Sequence, residues 1–202
     1  MDVTNSLTTF VMKIKFFYVV ILMLFSMRCI SQEQFLPDST INGIFVLSNS
    51  ESAQIFYKDI SKTHLQYENS VYNPFGYDFI AFVNKDSSQY LIAFHYDGDV
   101  INSYSAFEMG YVTYDFFKYV KIYYLTEFEI FKTESDIYLN MPLDQLLDIK
   151  GNNYKNEDKS IIYYLDIDNS DFVRRYKTHD YYLRCEVDNG KVCKINFGFT
   201  YP

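Results

Sequence analysis

Residues 181–199 read YYLRCEVDNGKVCKINFGF, two β-rich runs, Tyr181–Val187 and Val192–Phe199, on either side of Asp188-Asn189-Gly190. Aromatic and β-branched residues interrupted by Asn-Gly predict a β-hairpin, and a hairpin commits this end of the chain to antiparallel sheet. A second unit of the same kind lies upstream, where Asp78–Asn84 and Gln89–Tyr96 lead through Asp97-Gly98 into Val100–Met109. Between the two units Tyr119–Phe131 alternates well enough to predict one long strand. Ser160–Ile167 and Phe172–Tyr176 supply two more strands before the last hairpin.

Helices are few. Met141–Ile149 carries Pro142 in its first turn, Leu143, Leu146 and Leu147 at helical spacing, and Gly151 just past its end, which together form a start-and-stop signature. Ser50–Ile60, with Ala53, Ile55, Phe56 and Ile60, makes a rougher apolar face. The expected fold class is therefore α+β, mainly antiparallel sheet with a few short helices. Sliding the chain against itself by 92 residues places Tyr90 on Tyr182, Leu91 on Leu183, Gly98 on Gly190, Val100 on Val192 and Phe107 on Phe199 without a gap. That register suggests a tandem of two similar helix-plus-meander halves, 32–132 and 133–202.

The layout, with Ile137, Leu139, Met141, Pro142 and Leu143–Gly151 in the second half, resembles the repeat unit of the β-lactamase inhibitor protein-like and SmpA/OmlA-like envelope proteins. In those families a short helix packs on an antiparallel sheet. Here Asn140 and Pro142 stand where the family has Gly and Ser/Thr. The resemblance implies a role in binding or assembly, with the sheet face as the contact surface.

Residues 12–31, MKIKFFYVVILMLFSMRCIS, read as a secretory signal: Lys13 and Lys15 give the basic region, Phe16–Met27 the apolar run, and Cys29 and Ser31 the small residues before a cut at Gln32. The expected start is Met12 and the expected location secreted or periplasmic. A membrane anchor needs a longer apolar run, and a lipidated Cys29 is disfavoured because Arg28 stands where a small residue belongs. Of 18 basic and 26 acidic residues, Lys13, Lys15, Arg28 and Asp2 leave with the signal, so the mature chain carries 15 against 25, a net charge of −10. Such a balance argues against phosphate-driven nucleic-acid binding and against an anionic membrane surface. The abundance of 21 Tyr and 19 Phe, with no Trp, is explained first by core packing.

Chemistry is sparse. His64, His95 and His179 fall in no metal-binding spacing, and the nucleophile elbow, phosphate loop and dinucleotide fingerprint are all missing from the sequence. No cofactor and no metal is implied. Asp166, Asp168 and Asp171 resemble the start of a calcium loop, but Asp171 takes the place of the turn Gly and Lys177 that of the bidentate Glu, so a polar turn is the reading preferred. The one enzyme alternative is a secreted polysaccharide hydrolase, in which Glu127 and Glu129, two apart on a predicted strand, work with Glu108 as paired carboxylates. Cys185 and Cys193 are the mature cysteines; a three-residue loop would set them opposite each other and allow a disulfide, whereas a two-residue Asn189-Gly190 turn would not. The sequence therefore points to an exported, non-catalytic protein that binds another macromolecule, a protein or an envelope component, with no membrane span in the mature chain.

Overall fold

The computed structural model describes residues 35–47, 77–95 and 104–200. Strands β3 (Asp78–Val83), β4 (Gln89–His95), β5 (Ala106–Tyr111), β6 (Tyr124–Leu125), β7 (Lys155–Glu157), β8 (Ser160–Asp166), β9 (Asp180–Asp188) and β10 (Lys191–Thr200) form one sheet in the order β6-β3-β4-β5-β10-β9-β8-β7. Every pairing is antiparallel except that of β6 with β3. A small separate pair, β1 (Thr40–Ile41) and β2 (Phe45–Val46), precedes it. The helices are α1 (Tyr114–Tyr119), α2 (Leu143–Lys150) and α3 (Asp171–Tyr176). A mainly antiparallel α+β fold is what the sequence indicated, and residues from both proposed halves meet in the same sheet.

The last hairpin closes on a two-residue turn. Asn189 (φ 50°) and Gly190 (φ 74°) both take the left-handed conformation that lets a tight turn follow the twist of its strands. An irregularity between Val192 and Lys194 then offsets the ladder, so Cys185 stands opposite Ile195 and not Cys193. Both cysteines are free; Cys185 is buried and Cys193 half-buried. Burial, reinforced by Asp38, pushes the Cys185 thiol up to about 12.

Two segments differ from their sequence reading. Tyr119–Phe131 is no long strand: Tyr119 ends α1, only Tyr124–Leu125 is extended enough to pair, and the rest is irregular. Phe116 and Val120, four apart, are both buried on the same side of the sheet, and that helical spacing claims the start of the run for α1. Phe172–Tyr176 is helical because Ser170 caps it, its hydroxyl accepting from the Val173 N–H at 3.4 Å, while Lys177 ends it at φ 56°. By contrast, α2 follows its signature from Pro142 to Gly151. The expected signal segment 1–31, the candidate helix Ser50–Ile60, His64 and Asp97-Gly98 lie outside the described residues.

The two faces of the sheet are packed unequally. The inner face, lined along every long strand by residues such as Phe82, Leu91, Phe107, Tyr163, Leu183 and Phe197, is covered by β1–β2, α2, α3 and the chain from Phe128 to Met141. Into it reaches a fully buried ion pair. Lys150 at the end of α2 meets Asp38 at 2.7 Å, with both side chains wholly inaccessible. Lys150 also donates to the Leu36 carbonyl and to Ser135 Oγ (3.1 Å), and Asp38 Oδ1 accepts from the Ser135 N–H at 2.9 Å. The Tyr181 hydroxyl accepts from the Asp38 N–H (3.0 Å) and donates to the Asp38 carbonyl (2.8 Å). Buried charges survive only when paired and hydrogen-bonded; this cluster ties Phe35–Asp38 to α2 and β9. Among the described residues the outer face is covered by α1, over β3 and β4, in a smaller cluster that includes Phe79, Ile92, Phe94 and Phe116.

Candidate functional site

Glu108 lies in the middle of β5 and, by strand alternation, points to the outer face, where its side chain is 8% exposed. It is fully engaged. Tyr90 on β4 donates to Oε1 at 2.9 Å, Asn196 on β10 donates to Oε2 at 3.2 Å, and Lys194 forms an ion pair at 3.0 Å. The row continues outward, since the Tyr182 hydroxyl on β9 donates to Asn196 Oδ1 at 2.6 Å and Tyr182 pairs directly with Tyr164 on β8. A polar and aromatic band thus crosses five strands of the outer face.

The two ends of that band are different. At the β4 end, Tyr90 stacks on Phe116 of α1, ring centroids 4.8 Å apart and planes 17° from parallel, and is buried. Toward the β8 end no helix of the described residues lies across the band. There Tyr164 is 54% exposed, Arg184 is exposed, and Ile162, Tyr182, Glu186, Lys194 and Asn196 are half-buried. Partial burial and then the neighbouring Asp180 carboxylate push the Tyr164 hydroxyl up to about 12, so it stays a neutral donor across the physiological range.

The outer side of α1 adds a second apolar element. Tyr114 is 92% exposed, and Phe117, one turn on, meets Tyr123 at 5.2 Å between ring centroids. Tyr124 turns to the inner face against Phe82 (5.9 Å), so its neighbour Leu125, 63% exposed, turns the other way. Lys118 and Lys121 accompany these rings. Most of the described aromatic residues are core or packed against it, as composition suggested; the exposed ones are Tyr114, Phe117 and Tyr123 on this strip, Tyr164 on β8, and Tyr111 at the end of β5.

The glutamate trio is not brought to one place. Glu129 is 74% exposed and pairs with Lys85 at 2.6 Å beside the β3–β4 turn; exposed Glu127 acts on the same lysine. Glu108 shares no partner with either. Asp166, Asp168 and Asp171 occupy a polar turn in which Asp166 accepts from the Asn169 N–H at 2.9 Å and Asp171 pairs with Arg174 at 2.6 Å. Among the described residues no group of three or more His, Cys, Asp and Glu is placed to hold a metal ion. His95 ends β4 edge-on to Tyr104, and the His179 carbonyl accepts from the Ile167 N–H.

Sequence reading identified Glu108 but neither its partners Tyr90, Asn196 and Lys194, nor Tyr182 beyond them, nor the exposed strip. One signal was present: Glu108-Met109-Gly110 and Asn196-Phe197-Gly198 share a polar-apolar-Gly spacing, each opposite a tyrosine. No protein-family model, curated protein or solved structure matches the chain.

Proposed function

We propose that this is an exported, non-catalytic binding protein that engages another macromolecule through the outer side of its sheet. The observation that carries the reading is the unequal cover of that side. Tyr164, Tyr182 and Ile162 stand on a half-sheet over which no described helix packs, beside a helix whose outward rings are also exposed. Grouped exposed aromatics flanked by charged and amide groups are the composition of a protein contact surface. Nothing in the placement of Glu108, Glu127 and Glu129 favours the hydrolase alternative. Export is supported by the division of the chain into two units between Gln34 and Phe35, close to the expected cut at Gln32. No described helix is long and apolar enough to cross a membrane. The resemblance of Ile137–Gly151 to envelope assembly modules points the same way.

The same reading includes a tandem of two halves joined edge to edge at β5–β10. Tyr90 pairs with Gly110 and bonds Glu108; Tyr182 pairs with Gly198 and bonds Asn196; and Glu108 and Asn196 are themselves directly opposed. The order β3-β4-β5-β10-β9-β8 reads as a unit and its mirror in sequence, which a two-fold through β5–β10 would generate. Tyr90 falls on Tyr182 at a shift of 92, but Gly110 falls on Gly198 at 88, so the first hairpin carries four more residues than the second.

The test is capture of partners from envelope and culture-supernatant fractions by tagged residues 32–202, in parallel with Phe117→Ser/Tyr164→Ser. A stoichiometric partner retained by the wild type and lost by the variant is expected. A partner held equally by both would place the contact elsewhere.

A further inference from the structure

Lys150 Nζ stands 2.7 Å from Asp38 Oδ2 in the buried cluster, yet Oδ2 takes no hydrogen bond. The aligned donors of Nζ point elsewhere, to the Leu36 carbonyl and to Ser135 Oγ at 3.1 Å. That leaves one position on the nitrogen for the carboxyl group, a third N–H in the ammonium and the lone pair in the amine. We propose that Lys150 and Asp38 become joined by a side-chain amide, a covalent cross-link between the chain entering β1 and the end of α2. The ion pair described above is its reactant state, and the bond is independent of what the outer face binds.

The reaction balances within the pair. One proton passes from Nζ to Oδ2 and leaves an amine beside a carboxylic acid. The nitrogen lone pair then attacks Cγ, a second proton leaves Nζ, the Cγ–Oδ2 bond breaks, and Oδ2 departs as water. An ammonium and a carboxylate thus become an amide and one water, with no oxidant, reductant or co-reactant. Ser135 serves both ends of the step. Its backbone N–H donates to Oδ1 at 2.9 Å, where negative charge develops as Cγ becomes tetrahedral. Its hydroxyl, against Nζ, is placed to carry the second proton from the nitrogen to the departing oxygen.

The surroundings hold the two groups in place and keep water out. Both side chains are wholly inaccessible, and Nζ lies 5.9 Å from the centre of the Phe35 ring, which itself packs on Tyr163 and Tyr181. The Tyr181 hydroxyl fixes the Asp38 backbone on both sides, accepting from its N–H at 3.0 Å and donating to its carbonyl at 2.8 Å. Fixed contact turns a bimolecular condensation into an effectively unimolecular one. A dry core also disfavours two charges relative to a neutral amide. Among the described residues no disulfide ties the chain, both cysteines being free. An amide closing the loop from Asp38 to Lys150 would restrict the unfolded chain as a disulfide does.

The experiment is peptide mapping by mass spectrometry of the chain expressed from its complete reading frame and purified as its host processes it, before and after prolonged incubation at neutral pH. The expected result is a branched peptide joining the Asp38 and Lys150 segments, one water lighter than the two linear peptides together. Lys150→Arg keeps the cation and Asp38→Ala removes the carboxyl, and neither should yield that peptide. Ser135→Ala keeps the backbone donor, loses the hydroxyl, and should slow the appearance of the branched peptide about tenfold or more. Linear Asp38 and Lys150 peptides throughout, in wild-type protein whose fold is verified by its thermal unfolding, overturn the inference and leave an ion pair. That map decides alone if a variant fails to fold. A water lost at any other pair of residues, with Asp38 and Lys150 still linear, overturns it as well.

Discussion

Lys150 and Asp38 show how much of this protein's stability rests on a few residues. Each charge is compensated by the other and by hydrogen bonds, so Lys150→Met leaves a buried carboxylate alone and should cost about 3–5 kcal/mol by denaturant unfolding. Asp38→Leu added to Lys150→Met should recover part of that loss. Recovery stays incomplete because the Ser135 N–H and the Leu36 carbonyl keep no partner. The buried acids make a second expectation. Cys185 is pushed up to about 12 and the Tyr181 and Tyr163 hydroxyls are raised, in each case chiefly by burial. Protons are therefore held more tightly in the folded chain. Stability from these groups is fully present below their unfolded values, about 8.5 for a thiol and about 10 for a phenol, and is lost as pH rises toward the folded values. The melting temperature should fall steadily above about pH 9, and Cys185→Ala should shallow the first part of that fall. A melting temperature flat to pH 11 would contradict the burial of these groups.

Among the elements, the junction of β5 with β10 is the most constrained. Gly198 has φ 155°, and a Cβ there would meet the Ser105 carbonyl and, at 2.5 Å, the Ala106 Cα on the neighbouring strand. Gly198→Ala should therefore push the two strands apart and cost about 2–4 kcal/mol, read as a lower unfolding midpoint. Gly110 is less strict, since a Cβ there meets the side chain of Tyr90 and not backbone. How far the elements were legible depended on whether their punctuation was local. Asn189-Gly190, and Pro142 with Gly151, are local signals, and the last hairpin and α2 formed where they indicated. The aromatic richness that announced β-structure also misled: the ring-heavy run Tyr119–Phe131 looked extended but pairs only at Tyr124–Leu125, and Phe172–Tyr176 is a helical turn set by the Ser170 cap. At the candidate site, Glu108 was visible as a carboxylate. Its partners were not, because a cross-strand row depends on registers set by loop lengths. The ion pair of Asp38 with Lys150 left no trace in the sequence for the same reason.

At the scale of the molecule, the two sides of the sheet divide the work. The inner side holds the main core and the buried ion pair; on the outer side the described residues cover one half, with α1, and the exposed rings of α1 and Tyr164 lie there. Leu36, 71% exposed, and Ile149, 39% exposed, belong to the segments that pack on the inner side and serve as internal controls. The most direct test of the outer side as the contact surface is hydroxyl-radical footprinting of the chain, dilute and alone, against the chain concentrated or returned to its envelope and supernatant fractions. Protection confined to Tyr114, Phe117, Tyr123 and Tyr164, with Leu36 and Ile149 unchanged, is the expected result. Protection of Leu36 and Ile149 while those four rings stay reactive would contradict it.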